Sequence, residues 1–194
     1  IKVRRIRRQD QRIRIGADNF SAGAGNDLIF GFVGADTING GANTDTLVLT
    51  ANSADLNLAG ANDARITNVV SIYAADASAG VTISLAAQSE GFSITGGAYA
   101  DSITGGSASN SFIGFVGADT LVGGAGADVV ILAATAIDLN NAQDGQLIAV
   151  EAINAFTASA GISISLAAQK EGFSITGGAY GDSIVGAAGG DIIS

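Results

Sequence analysis

Residues 22–48 read AGAGNDLIF GFVGADTIN GGANTDTLV, three consecutive nonapeptides. Each has an aspartate at its sixth position (Asp27, Asp36, Asp45) and an aliphatic residue at its eighth (Ile29, Ile38, Leu47). Nine residues cannot bury an apolar face of their own, so this fixed period predicts a solenoid in which each unit rests on the next. Residues 81–85 and 162–166 alternate apolar residues with Ser or Thr, the period of a strand with one face turned inward. Glycine clusters between such segments permit tight turns.

The phase extends along the chain. Phe20, Ile29, Ile38, Leu47 and Leu56 step by nine; the step returns at Ile94, Ile103, Phe112, Leu121 and Val130, with Leu139 and Ile148 in the same phase. Ile175, Ile184 and Ile193 form a third run, while Ile72, Ile83, Ile94 and Ile153, Ile164, Ile175 are spaced by eleven. These spacings predict an all-β fold, a right-handed parallel β-roll or β-helix solenoid with stacked half-coils of nine and eleven residues.

A longer duplication lies over the short one. Residues 81–104 match residues 162–185 at an offset of 81, and Asp18, Asp36 and Asp45 map onto Asp101, Asp119 and Asp128 at an offset of 83. The expected organisation is a basic arm (1–15), non-native or disordered, then a first nonapeptide run (16–56) and spacer coils of the same solenoid (57–93). A second run (94–131), further spacer coils (132–174) and the start of a third run (175–194) follow. With no methionine in 194 residues, the sequence reads as a piece of a longer chain.

Composition excludes several functions. The formal net charge is -9, but seven of nine basic residues lie in the first fifteen positions, so Gly16 onward carries 17 acidic residues against Arg65 and Lys170. That surface suits cations and argues against nucleic acid, which needs a basic face. There is no cysteine, hence no disulfide or thiolate site. No apolar run is long enough to span a bilayer as a helix. Without histidine, a G-x-S-x-G elbow or a phosphate loop, the segment reads as non-enzymatic, whatever domain the parent chain adds.

The aspartates carry the chemistry. Equivalent positions in adjacent coils lie about 4.8 Å apart. Two carboxylates at that spacing repel by about 0.9 kcal/mol in water and about 3.5 kcal/mol at the effective dielectric of a partly buried site. Such a ladder must point into solvent, hold protons or share a cation. Hard oxygen ligands with turn carbonyls and no imidazole or thiolate select calcium.

The runs resemble the repeats-in-toxin (RTX, haemolysin-type) calcium-binding nonapeptide family, whose motif is G-G-x-G-x-D-x-hydrophobic-x. The resemblance implies that half-coils n and n+2 clasp one ion, pairing Asp18 with Asp36, Asp27 with Asp45, Asp101 with Asp119, and Asn110 with Asp128. Asp182 and Asp191 would find partners beyond Ser194. It further implies a module of a secreted or cell-surface bacterial protein, exported by a one-step (type I) secretion system and folding or rigidifying on calcium outside the cell. A self-assembling or adhesive surface-layer or spacer element, with calcium only structural, is the alternative; stacking on further repeats is then expected.

Several residues depart from the motif. Phe32 and Phe115 take the second-glycine place, Asn43, Tyr99, Ala108 and Tyr180 the fourth, and Asn110 replaces an aspartate. A side chain where a positive φ is favoured costs of order 1 kcal/mol, so weaker sites are expected at those turns. Glu90 and Glu171 read as closing the eleven-residue turn, Asp55 and Asp138 as capping or turn-forming residues, and Tyr99 and Tyr180 as turn-packing residues.

Overall fold

The computed structural model describes residues 19–30, 32, 36–49 and 63–194. The basic arm, Asp18, Asp55 and Leu56 lie outside the described residues. Strands of two or three residues, numbered in chain order, alternate between two faces. One face holds β2 (Leu28–Phe30), β4 (Thr46–Val48), β6 (Ser71–Tyr73), β8 (Ser93–Thr95), β10 (Ser111–Ile113), β12 (Val129–Ile131), β14 (Ala152–Asn154), β16 (Ser174–Thr176) and β18 (Ile192–Ile193). They form one nine-stranded parallel sheet. The opposite face carries three shorter sheets: β1 (Asn19–Ser21), β3 (Thr37–Asn39) and β5 (Ile66–Thr67); β7 (Thr82–Ser84), β9 (Ser102–Thr104), β11 (Thr120–Val122) and β13 (Leu147–Ile148); β15 (Ser163–Ser165) and β17 (Ser183–Val185). The described chain is a parallel β-solenoid of about 8 turns, in the manner of a β-roll.

Register confirms the two half-coil lengths. Leu28 pairs with Thr46 and Ser111 with Val129, a step of two nines. Thr82 pairs with Ser102, a nine plus an eleven, and Ser71 with Ser93, two elevens. The middle residue of each strand points inward. Ile29, Leu47, Ile72, Ile94, Phe112, Val130, Ile153 and Ile175 therefore stack as one buried column on the long sheet. Ile83, Ile103, Leu121 and Leu147 form a facing column. Ser and Thr at the flanking positions meet solvent, which is the alternation the sequence displays.

The phase slips once. Leu139 is buried but lies in a short helix, α1 (Ile137–Asn140), and it is Leu147 rather than Ile148 that turns inward, leaving Ile148 44% exposed. With the helix inside it, the half-coil from Val130 to Leu147 runs 17 residues (147 − 130), one short of two nines, so a count in nines passes the inward residue by one. Asn140 at its end accepts the Ser165 N–H at 2.7 Å and donates to the Ser163 carbonyl, so α1 lies along β15.

Phe32 and Phe115 also differ from expectation. Both are buried in the core, and Phe115 does not adopt a positive φ; the left-handed geometry of its turn falls on Gly114, Gly117 and Ala118. Of the four residues at the fourth-glycine place, Asn43 takes a positive φ (82°), whereas Tyr99, Ala108 and Tyr180 do not. Tyr99 and Tyr180 are exposed rather than packed into their turns. Among the described residues no helix is long and apolar enough to cross a membrane.

The stacked column predicts a position-specific cost. Ile94→Ala removes a fully buried link and should lower unfolding free energy by about 2–5 kcal/mol. Ile113→Ala, one residue beyond the phase marker Phe112 and 39% exposed, should cost under about 1 kcal/mol. Chemical unfolding of both variants in calcium checks this, and equal costs would contradict the phase.

Candidate metal centre

The sixth-position residues do not point into solvent. Asp27, Asp36, Asp45, Asp101, Asn110, Asp119 and Asp128 are all buried, while Asp182 and Asp191 are half-buried. Seven of them, Asp45, Asp101, Asn110, Asp119, Asp128, Asp182 and Asp191, accept a backbone N–H of the preceding coil. Asp45 Oδ1 accepts the Asp27 N–H at 2.8 Å, Asp119 Oδ1 that of Asp101 at 2.9 Å, and Asp128 Oδ1 that of Asn110 at 2.6 Å. Asp101, Asn110, Asp182 and Asp191 do the same for Val81, Phe92, Ile162 and Phe173. Three of the four expected pairs are thus joined directly between coils; the Asp18 partner of Asp36 lies outside the described residues.

The second carboxylate oxygen distinguishes the turns; at Asp119 it accepts the N–H of Val116 at 3.1 Å. Asp101 Oδ2 accepts the N–H of Gly97, in its own turn, at 2.6 Å, and Asp182 Oδ2 that of Gly178 at 2.7 Å. These turns close on themselves with no positive φ at the second or fourth position. In the turns of Asp27, Asp45 and Asp128 both positions are left-handed: Gly23 and Gly25, Gly41 and Asn43, Gly124 and Gly126. There Oδ2 is buried without any hydrogen-bond partner. Leaving a buried acceptor unmatched costs about 1–3 kcal/mol, and more for a charged group. The surface ion pair of Lys170 with Asp144 neutralises none of them.

What faces the orphaned oxygens is more oxygen. A Cβ added at Gly40 would collide with the Asn68 carbonyl oxygen of the next coil and with Asp45 Oδ2. At Gly123 it would collide with the Ala149 carbonyl oxygen and Asp128 Oδ2. Acceptor therefore lies beside acceptor, an arrangement that a cation or a hydrogen-bond donor would relieve. Among the described residues no three acidic side chains converge, so a bound ion would be completed by turn carbonyls.

A family model described as RTX calcium-binding nonapeptide repeat (4 copies) matches residues 14–47, 95–130 and 174–194. The nonapeptide runs are RTX calcium-binding repeats. No curated protein and no solved structure matches the chain significantly. The donor set fits the ion that the RTX model implies: hard carboxylate and carbonyl oxygens, with no histidine or cysteine in the chain. Asp27, Asp45 and Asp128 would hold calcium with their turn carbonyls, and the ion would supply the missing positive charge.

Two acids outside the RTX runs complete the row. Asp138 Oδ2 accepts the Gly117 N–H at 2.8 Å, so it ties α1 to the Asp119 turn rather than capping a helix. Glu151 Oε2 accepts the Asp128 N–H at 2.7 Å, the role an RTX aspartate plays elsewhere. Its sequence signal is its place, 23 residues after Asp128, the same step that pairs Val129 with Ala152. In the first copy that place is Val70, so the substitution breaks the duplication and hides the role.

Burial pushes the Asp119 carboxyl up to about 7; the Asp101 and Asp138 carboxylates push the same way, against N–H donors from Asp101 and Val116. Burial also raises Asp128, opposed by the hydrogen bonds from Asn110 and aided by Glu151. A carboxyl held above its unfolded value of 3.8 favours the folded state only while protonated. In chelator, Asp119 should therefore lower stability as pH rises from about 4 to 7, and the loss should then level off. Asp119→Asn should exceed the wild type at pH 8 and converge with it near pH 4. Denaturant titrations across pH test this, and a gap of constant size would refute it.

Proposed function

We propose that the chain is a calcium-binding β-roll module of a secreted or cell-surface bacterial protein, which folds or rigidifies when it meets calcium outside the cell. Three buried, partnerless Oδ2 atoms carry the reading. Without a cation, each would bury a negative charge with no hydrogen-bond donor. With millimolar calcium and a dissociation constant near 0.1 mM, each site adds about 1.4 kcal/mol, so a few sites can shift a marginal fold. Low cytosolic calcium would keep the chain export-competent, in keeping with a one-step secretion route. The sites belong to the coils themselves, which argues for a structural role.

Circular dichroism and thermal unfolding in chelator and in calcium test the switch. The β-signal and melting temperature should fall in chelator and recover on adding millimolar calcium. Asp45→Ala should weaken that recovery, and a melting curve indifferent to calcium would defeat the reading. A second reading, calcium-stiffened self-assembly, is favoured by Leu28 and Phe30, which stand exposed on the outer face of β2. Sedimentation separates the two: calcium-dependent growth in particle size supports assembly, a compact monomer the folding switch.

A further inference from the structure

Asn110 stands at a sixth position that elsewhere carries an acid, and it is 1% exposed. Its Oδ1 accepts N–H groups from Phe92 at 3.0 Å and Gly106 at 3.3 Å. The amide cannot be turned over, because a flip would press NH₂ against two donors. Its Nδ2 therefore faces four oxygens: Gly106 O at 3.1 Å, Ala108 O at 2.7 Å, Gly123 O at 3.1 Å and Asp128 Oδ1 at 2.9 Å. Two come from its own turn and two from the next coil.

The place of that nitrogen is telling. A Cβ added at Gly105 would meet the Gly123 carbonyl oxygen of the next coil and Asn110 Nδ2. The equivalent collisions at Gly40 and Gly123 are with the next coil's carbonyl and a carboxylate Oδ2. In those turns an acceptor confronts the carbonyl; in this one a donor does. Asparagine and aspartate have the same shape, and the Asn110 turn differs from those of Asp45 and Asp128 in backbone as well, since Gly106 and Ala108 take no positive φ.

We propose that the Asn110 amide takes the part of the cation in its half-coil, making residues 105–113 a metal-independent rung stacked on the calcium-dependent turn of Asp128. The inference rests on the calcium reading above. Its consequence is a roll that does not come apart uniformly: when calcium is withdrawn, the coils joined through Asn110 keep their pairing and offer a template on which the others reform.

Calcium counting and chelator unfolding of the full chain test it. Asn110→Asp should bind about one more calcium ion than the wild type. In chelator its folded fraction should fall at least about tenfold, with recovery in millimolar calcium. Asn110→Ala, which loses donor and acceptor together, should be destabilised in both conditions, and calcium should not rescue it. Hydrogen exchange of the wild type in chelator should leave the amides of Phe92, Gly106 and Asn110 better protected than that of Asp27.

If the wild type binds calcium but Asn110→Asp binds no more and unfolds no sooner in chelator, the inference fails while the calcium reading stands. Early exchange at Phe92 and Gly106 likewise overturns it. A wild type that binds no calcium removes the premise and the inference with it.

Discussion

A carboxylate buried between coils is the constraint on which this roll depends. Parallel strands of two or three residues supply few ladder bonds, and where each turn enters its strand the backbone leaves an N–H with no carbonyl opposite. An aspartate from the next coil fills that vacancy with one oxygen, and in doing so brings its second oxygen and its charge into a place with little water. Every later feature answers the question of what that second oxygen meets.

Several answers occur among the described residues; at Asp119 that oxygen meets the N–H of Val116. At Asp101 and Asp182 the second-position glycine turns its N–H onto the carboxylate and the turn closes by itself. At Asp27, Asp45 and Asp128, where the second and fourth positions take positive φ, the oxygen has no partner, and at Asp45 and Asp128 a carbonyl oxygen of the next coil lies beside it. At Asn110 the oxygen is replaced by a donor. Backbone handedness and one atom of side chain thus decide whether a coil demands a cation, although the nonapeptides look alike when written as letters.

The columns were legible because an inward isoleucine, leucine or phenylalanine must recur once per half-coil; Ile72, Ile83 and Ile94 betray the eleven-residue step as plainly as Ile29, Ile38 and Leu47 betray the nine. Legibility failed where packing overrode spacing. Phe115 abandons its turn for the core and passes the left-handed strain to neighbours, and α1 shifts the inward position from Ile148 to Leu147. The acids of the row were legible as a set, yet their division was not, since a motif records residue types and the division depends on φ. Glu151 escaped because the first copy has Val70 there, so neither period marks it.

The central claim is that positive ions sit against the partnerless oxygens of particular turns. An anomalous-difference map from crystals grown in millimolar calcium tests it most directly. Peaks beside Asp45 Oδ2 and Asp128 Oδ2, with none between Asn110 and Gly123, are predicted. Ordered turns without such peaks, or a peak at Asn110 as strong as the others, would contradict the account.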